Sequence, residues 1–190
     1  MINCSDLLEV TYLKNRRGLK LLDIITTALM LLEKHGRVSI AKKLGCTERQ
    51  ARNIIEFLKK EKEYFTILQR VLSRIERKVI YTIEANCNPV AYHNLANDLI
   101  LAIMQNIVAL RDYIIIHSGD PEKIEIIGIV KNGELEIPGI PPDLAAKYAG
   151  LSRFLEDLNG VVVCWRKYNE NLDDAVFILS LIDLCSSSRV

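Results

Sequence analysis

The chain has 190 residues, of which 49% are hydrophobic and 26% charged. That balance supplies ample apolar surface for a core and excludes a disordered chain. Its length allows one large domain or two small ones. The longest apolar run, Leu99–Val108, is interrupted by Gln105 and Asn106. No stretch reaches the roughly 18–20 apolar residues that span a bilayer, so no membrane partner is expected. Residues 1–6 lack a basic segment followed by an apolar one, so no signal peptide is read there and a cytoplasmic protein is expected. The net charge of +1 hides an asymmetry. Residues 1–80 hold 17 lysines and arginines against 9 acidic residues, a surplus of +8, and residues 81–190 hold 8 against 15, a deficit of −7. The basic half calls for a polyanion as partner. Cysteines 4, 46, 87, 164 and 185 show neither CxxC nor zinc spacing, and reduced, mostly buried thiols are expected.

Apolar residues at 21, 22, 25, 28, 29 and 32 predict a helix over Leu19–Lys34, ended by Gly36. A short helix is predicted over Ser39–Leu44 with Ser39 as its cap, broken by Gly45. A third follows over 47–60, where Thr47 and Gln50 form a capping box. Residues 64–83 carry two patterns. Phe65, Ile67, Val71 and then Val79, Tyr81, Ile83 alternate as a hairpin would, with Ser73–Lys78 as a basic tip. Phe65, Leu68, Leu72, Ile75 and Val79 instead fit one long helix. The β-branched content favours the hairpin. Residues 85–89 read as a linker and Val90–Leu110 as an apolar helix. Asp112–His117 reads as a buried strand. Asn132-Gly133, between apolar runs, predicts a tight hairpin of 123–131 with 134–137. A helix capped by Asp143 runs to about Leu158, then a central strand Val161–Trp165 and a last helix Asp173–Cys185. The expectation is an α+β chain: an N-terminal winged helix-turn-helix domain over 1–84, then a small α/β sandwich domain of three or four strands over 90–190.

Two helices that cross steeply through a short turn need a small residue at their closest approach, a residue tolerant of positive φ in the turn, and apolar inner faces. Ala41, then Gly45, then Ile40, Leu44, Cys46, Ala51 and Ile54 meet those needs at fixed offsets. The second helix would then offer Thr47, Arg49, Gln50, Arg52 and Asn53 to the major groove. Arginine reads guanine, and asparagine or glutamine reads adenine, each through paired hydrogen bonds. Ser39, Lys42, Lys43, Lys59 and Lys60 suit phosphates, and Arg74 and Arg77 would arm a wing. The function read from this pattern is sequence-specific binding of double-stranded DNA by a transcriptional regulator; the alternative is a winged-helix adaptor for protein contacts, with no DNA site of its own.

Residues 28–52, Ala-Leu-Met-Leu-Leu-Glu-Lys-His-Gly-Arg-Val-Ser-Ile-Ala-Lys-Lys-Leu-Gly-Cys-Thr-Glu-Arg-Gln-Ala-Arg, resemble the DNA-binding domain of archaeal winged-helix transcriptional regulators. More narrowly, residues 109–113, 118–119 and 132–139 are similar to those of archaeal regulators carrying an uncharacterised C-terminal α/β domain. The resemblance spans about residues 19–140 and is specific over the helix-turn-helix. It implies DNA binding as a homodimer and a small-molecule effector site in the second domain. Glu61–Glu84 contains no glycine, where the family pattern places one after the recognition helix and in the wing.

Histidines 35, 93 and 117 are scattered, and no GxGxxG, P-loop, GxSxG or HExxH motif is present. No enzyme, cofactor or metal is expected. Arg111 and Asp112, between a helix and a strand in this reading, and Trp165, at the end of an apolar strand, are the candidate effector residues.

Overall fold

The computed structural model describes residues 1–13, 19–82 and 86–187. Nine α-helices and five strands are found among them, in the order α1 (Cys4–Glu9), α2 (Leu21–Leu32), α3 (Arg37–Leu44), α4 (Glu48–Lys60), α5 (Lys62–Leu72), β1 (Glu76–Val79), β2 (Asn88–His93), α6 (Asn97–Gln105), α7 (Ile107–Ser118), β3 (Ile124–Lys131), β4 (Glu134–Glu136), α8 (Pro142–Ala145), β5 (Gly160–Trp165) and α9 (Leu172–Ser187). The strands form one antiparallel sheet in the order β1-β2-β5-β3-β4. The class is therefore α+β.

β5 is buried at all six residues because both faces of the sheet are covered. Val161, Val163 and Trp165 join the main core, together with Tyr92, Ile129 and the apolar residues of α9. Val162 and Cys164 point the other way, into a second core closed by Tyr148, Leu151 and Leu155. Tyr148 and Leu151 belong to a 3-10 run over Ala146–Phe154 that follows α8, and Leu155 caps its end. The main core runs on from Val163 and Leu181 to Ile25, Leu58 and Leu68, so residues from both halves of the chain share one apolar core. α9 carries Asp173 and Asp174 in its first turn and buries twelve of its residues against its neighbours. No single described helix is long and apolar enough to cross a membrane. α6 and α7 together reach that length but bend by 88°.

Several predicted elements stand as read: the Asn132-Gly133 hairpin, the central strand, the last helix, and the pair α3 and α4. Others are corrected. α2 ends at Leu32, Lys34 just beyond it takes positive φ, and Gly36 caps the start of α3. Ser39 therefore lies inside α3. Residues 62–72 are helix, not the first arm of a wing, and β1 pairs with β2 instead of with 65–71. Val90–His93 is strand, and Asp112–His117 belongs to α7. Pro141, not Asp143, caps the short α8. Cys4 is bonded to Cys185 and Cys87 to Cys164, so four of the five thiols expected to be free are not; Cys46 is.

Candidate nucleic-acid interface

The helix-turn-helix is held by its own small core. Ile40, Ala41 and Ala51 are buried with Met30 of α2, and Leu44, Cys46 and Ile55 pack around them. Ile54 reaches past it into the main core. Gly45 ends α3 at φ 62° and ψ 29°. Its N–H donates to the Lys42 carbonyl at 3.3 Å, and the Cys46 N–H donates to the Ala41 carbonyl at 3.0 Å, which satisfies the carbonyls a helix end leaves open. The Gln50 N–H donates to Thr47 Oγ1 at 3.2 Å, and the Thr47 N–H donates to Gln50 Oε1 at 2.9 Å. α4 is strongly amphipathic. Ala51, Ile54, Phe57 and Leu58 are buried; Glu48, Arg49, Gln50, Arg52, Asn53, Glu56, Lys59 and Lys60 are exposed.

The candidate residues separate into two groups. Arg49, Arg52, Asn53, Lys59 and Lys60 share the exposed side of α4, and Lys42 is exposed on α3. Thr47 and Gln50 are exposed, but their oxygens serve the cap. Ser39 lies 3.5 Å from His35 Nδ1. Lys43 is engaged within the chain: its Nζ donates to Asn169 Oδ1 at 2.8 Å and to the Glu170 carbonyl at 3.0 Å. Glu48, also on the face, accepts an ion pair from Arg37 at 2.8 Å. The chain matches no protein-family model, no curated protein and no solved structure.

The two arginines expected in a wing are paired with carboxylates from elsewhere in the chain. Arg74 lies 3.7 Å from Asp6. Arg77 meets Glu33 and Glu170 at 2.6 Å each and also pairs with Asp174. The Asp174 carboxylate, 3% exposed, further accepts the hydroxyls of Tyr92 at 2.9 Å and Tyr168 at 2.8 Å and the Asn171 N–H at 2.8 Å. Beside it, Lys123 pairs with buried Asp173 at 3.0 Å. Burial pulls the Arg77 guanidinium down, but the Asp174 carboxylate and its neighbours outweigh it and hold the proton more firmly than usual. Burial and Asp174 push the hydroxyls of Tyr92 and Tyr168 up. Burial also raises the Asp173 carboxyl, against the Asn169 N–H and Lys123. This network joins the end of α2, β1 and the 166–171 loop to α9, and Lys43 ties the same loop to α3. Sequence reasoning missed it. The available signal was a pair of carboxylates opening an otherwise apolar helix.

The three effector candidates are not brought together as one site. Trp165 is wholly buried in the sheet and packs at 6.4 Å from the Tyr168 ring. Asp112 is exposed on α7. Arg111, also on α7, borders an apolar groove of about 210 Å³ that includes Ile107, Val108, Ile127 and Ile140. Among the described residues no three His, Cys, Asp or Glu side chains are grouped to hold a metal ion.

Proposed function

We propose that this chain binds double-stranded DNA with α4 in the major groove and regulates transcription through that contact. The observation that supports this most is the face of α4. A capped, amphipathic helix is seated by its apolar side and leaves Arg49, Arg52, Asn53, Lys59 and Lys60 exposed together. Arg49 and Asn53 are one helical turn apart, so both reach successive base edges when the N-terminal half of the helix enters the groove. Their geometry suits guanine and adenine respectively. Lys42, Lys59 and Lys60 suit phosphates. Homodimerisation, which sets paired recognition helices about one DNA turn apart, and control by a small effector belong to the same proposal.

Fluorescence anisotropy of a labelled 20-bp random duplex at about 50 mM salt tests it, because phosphate contacts are strongest at low salt. Binding is expected there and a steep loss towards about 200 mM. Lys59→Ala with Lys60→Ala lowers the salt slope by about 2, close to one unit per phosphate contact removed. Arg49→Ala costs about 1–3 kcal/mol on a selected site and less on random DNA. A folded protein that leaves every duplex unbound at low salt overturns the proposal.

A further inference from the structure

The sheet is closed along β5 but open along part of β3. β4 covers only Ile129, Val130 and Lys131, and Pro138 follows two residues after it ends. On its other side β3 pairs with β5 from Ile124 to Val130, with Glu125 as a bulge. Lys131 and Glu134 flank a two-residue turn in which Asn132 and Gly133 both take positive φ, so they form the hydrogen-bonded pair that closes the hairpin. Backbone direction alternates along a strand. Ile129 therefore also points its N–H and C=O at β4, and Ile127 points its own at an edge where no strand lies.

That edge is recessed. α7 forms one wall through Ile107, Val108 and Arg111, and Pro138–Ile140 form the other, around the floor Ile124–Ile127. The volume, about 210 Å³, is below the range of drug-sized ligand pockets but takes apolar side chains. Val108 is 69% exposed at the rim. Arg111 is exposed and makes no ion pair among the described residues, while Glu125 accepts the Tyr148 hydroxyl at 2.6 Å. The groove thus offers an unused strand edge, apolar walls and a guanidinium, Arg111, that makes no ion pair among the described residues.

We propose that this groove binds a short extended peptide of another protein, which pairs with β3 at Ile127 in continuation of β4, buries alternate apolar side chains and sets a carboxylate against Arg111. Backbone pairing on an open edge with side-chain pockets beside it is a general mode of peptide capture. A second copy of this chain fits less well, because its own β3 edge lies equally deep between its walls. This inference stands apart from DNA binding and shares no residue with α4.

The probe is the labelled pentapeptide valyl-threonyl-valyl-threonyl-valine with a free C-terminus, titrated into the full chain by anisotropy. Binding is expected below about 1 mM, with amide hydrogen exchange slowed at Ile127 and not in α4. Amidating the peptide C-terminus, or Arg111→Gln, weakens it about tenfold, and N-methylation of alternate peptide amides abolishes it. Val108→Trp, at an exposed position that leaves folding intact, also blocks the probe. Failure to bind at about 1 mM, or equal binding of the N-methylated peptide, overturns the proposal. So does a stable dimer in sedimentation that Val108→Trp converts to monomer, since the edge then belongs to a second copy.

Discussion

Arg77 stands in a run with Arg70, Arg74 and Lys78 that reads as a basic surface, yet it faces Glu33, Glu170 and Asp174. Its partners lie 44, 93 and 97 residues away in sequence, so no local pattern announces them. Removing it leaves the buried Asp174 without its cation. Arg77→Met is expected to lower stability by about 3 kcal/mol in urea denaturation. The salt slope of DNA binding stays as it was, whereas a wing contact would lower it. Glu33 adds a pH dependence. Burial alone would raise its carboxyl, but the Asn171 amide and the Arg77 guanidinium outweigh that and hold it below its ordinary value of 4.5. A value lower in the folded than in the unfolded chain means stability that is present above pH 4.5 and lost as the pH falls through the folded value. Glu33→Gln is therefore expected to be less stable near neutrality, and the gap between the two urea midpoints should narrow as the pH drops from about 5 to about 3. A gap that widens on acidification contradicts this assignment.

Two glycines show what an element demands of a single position. Gly45 takes φ 62° but has open space where a Cβ would stand, so Gly45→Ala costs only the left-handed backbone, about 1 kcal/mol. Gly160 opens β5 opposite His93, and a Cβ there collides with the Tyr92 carbonyl oxygen. Gly160→Ala is expected to cost the larger amount, about 3 kcal/mol, because backbone must move. Thermal melts of the two variants rank them. Elements whose chemistry is local were legible in the sequence: the Thr47–Gln50 cap, the Gly45 turn, the Asn132-Gly133 hairpin and the apolar strand Val161–Trp165. Those decided by distant partners were not. Ile114, Ile115 and Ile116 look like strand, but α7 packs along α9 and ends on Gly119 at φ 68°. Residues 64–83 carried both periods, and the split between α5 and β1 follows from β1 pairing with β2. Of the proposed DNA face, the residues on α4 were readable from helical spacing. Lys43, Arg74 and Arg77 were not, because each is turned to a partner from elsewhere in the chain.

At the scale of the whole molecule, covalent links join segments that the sequence keeps apart. Cys4–Cys185 ties α1 to α9 across 181 residues, and Cys87–Cys164 ties the residue just before β2 to β5 across 77. Spacing along the chain gave no sign of either pair, since Cα atoms 5.4 and 5.5 Å apart come together only through the fold. A link across a long loop restricts the unfolded chain most, by about 5 kcal/mol for the first and about 4.5 kcal/mol for the second in the chain-entropy view. Both sit in or beside the cores, one on each face of the sheet, so native contacts hold the sulfurs in place even when reduced. Alkylation of the denatured, unreduced chain is expected to label Cys46 alone, and prior reduction to label all five cysteines, as read by intact mass. Reductant should then lower the urea midpoint of the wild type. The double variant Cys4→Ser, Cys185→Ser should lose more than Cys87→Ser, Cys164→Ser if loop length governs, and the reverse order would place the larger contribution in the packing of the second core. Five labelled thiols without reductant would show that the fold holds these pairs as neighbours only.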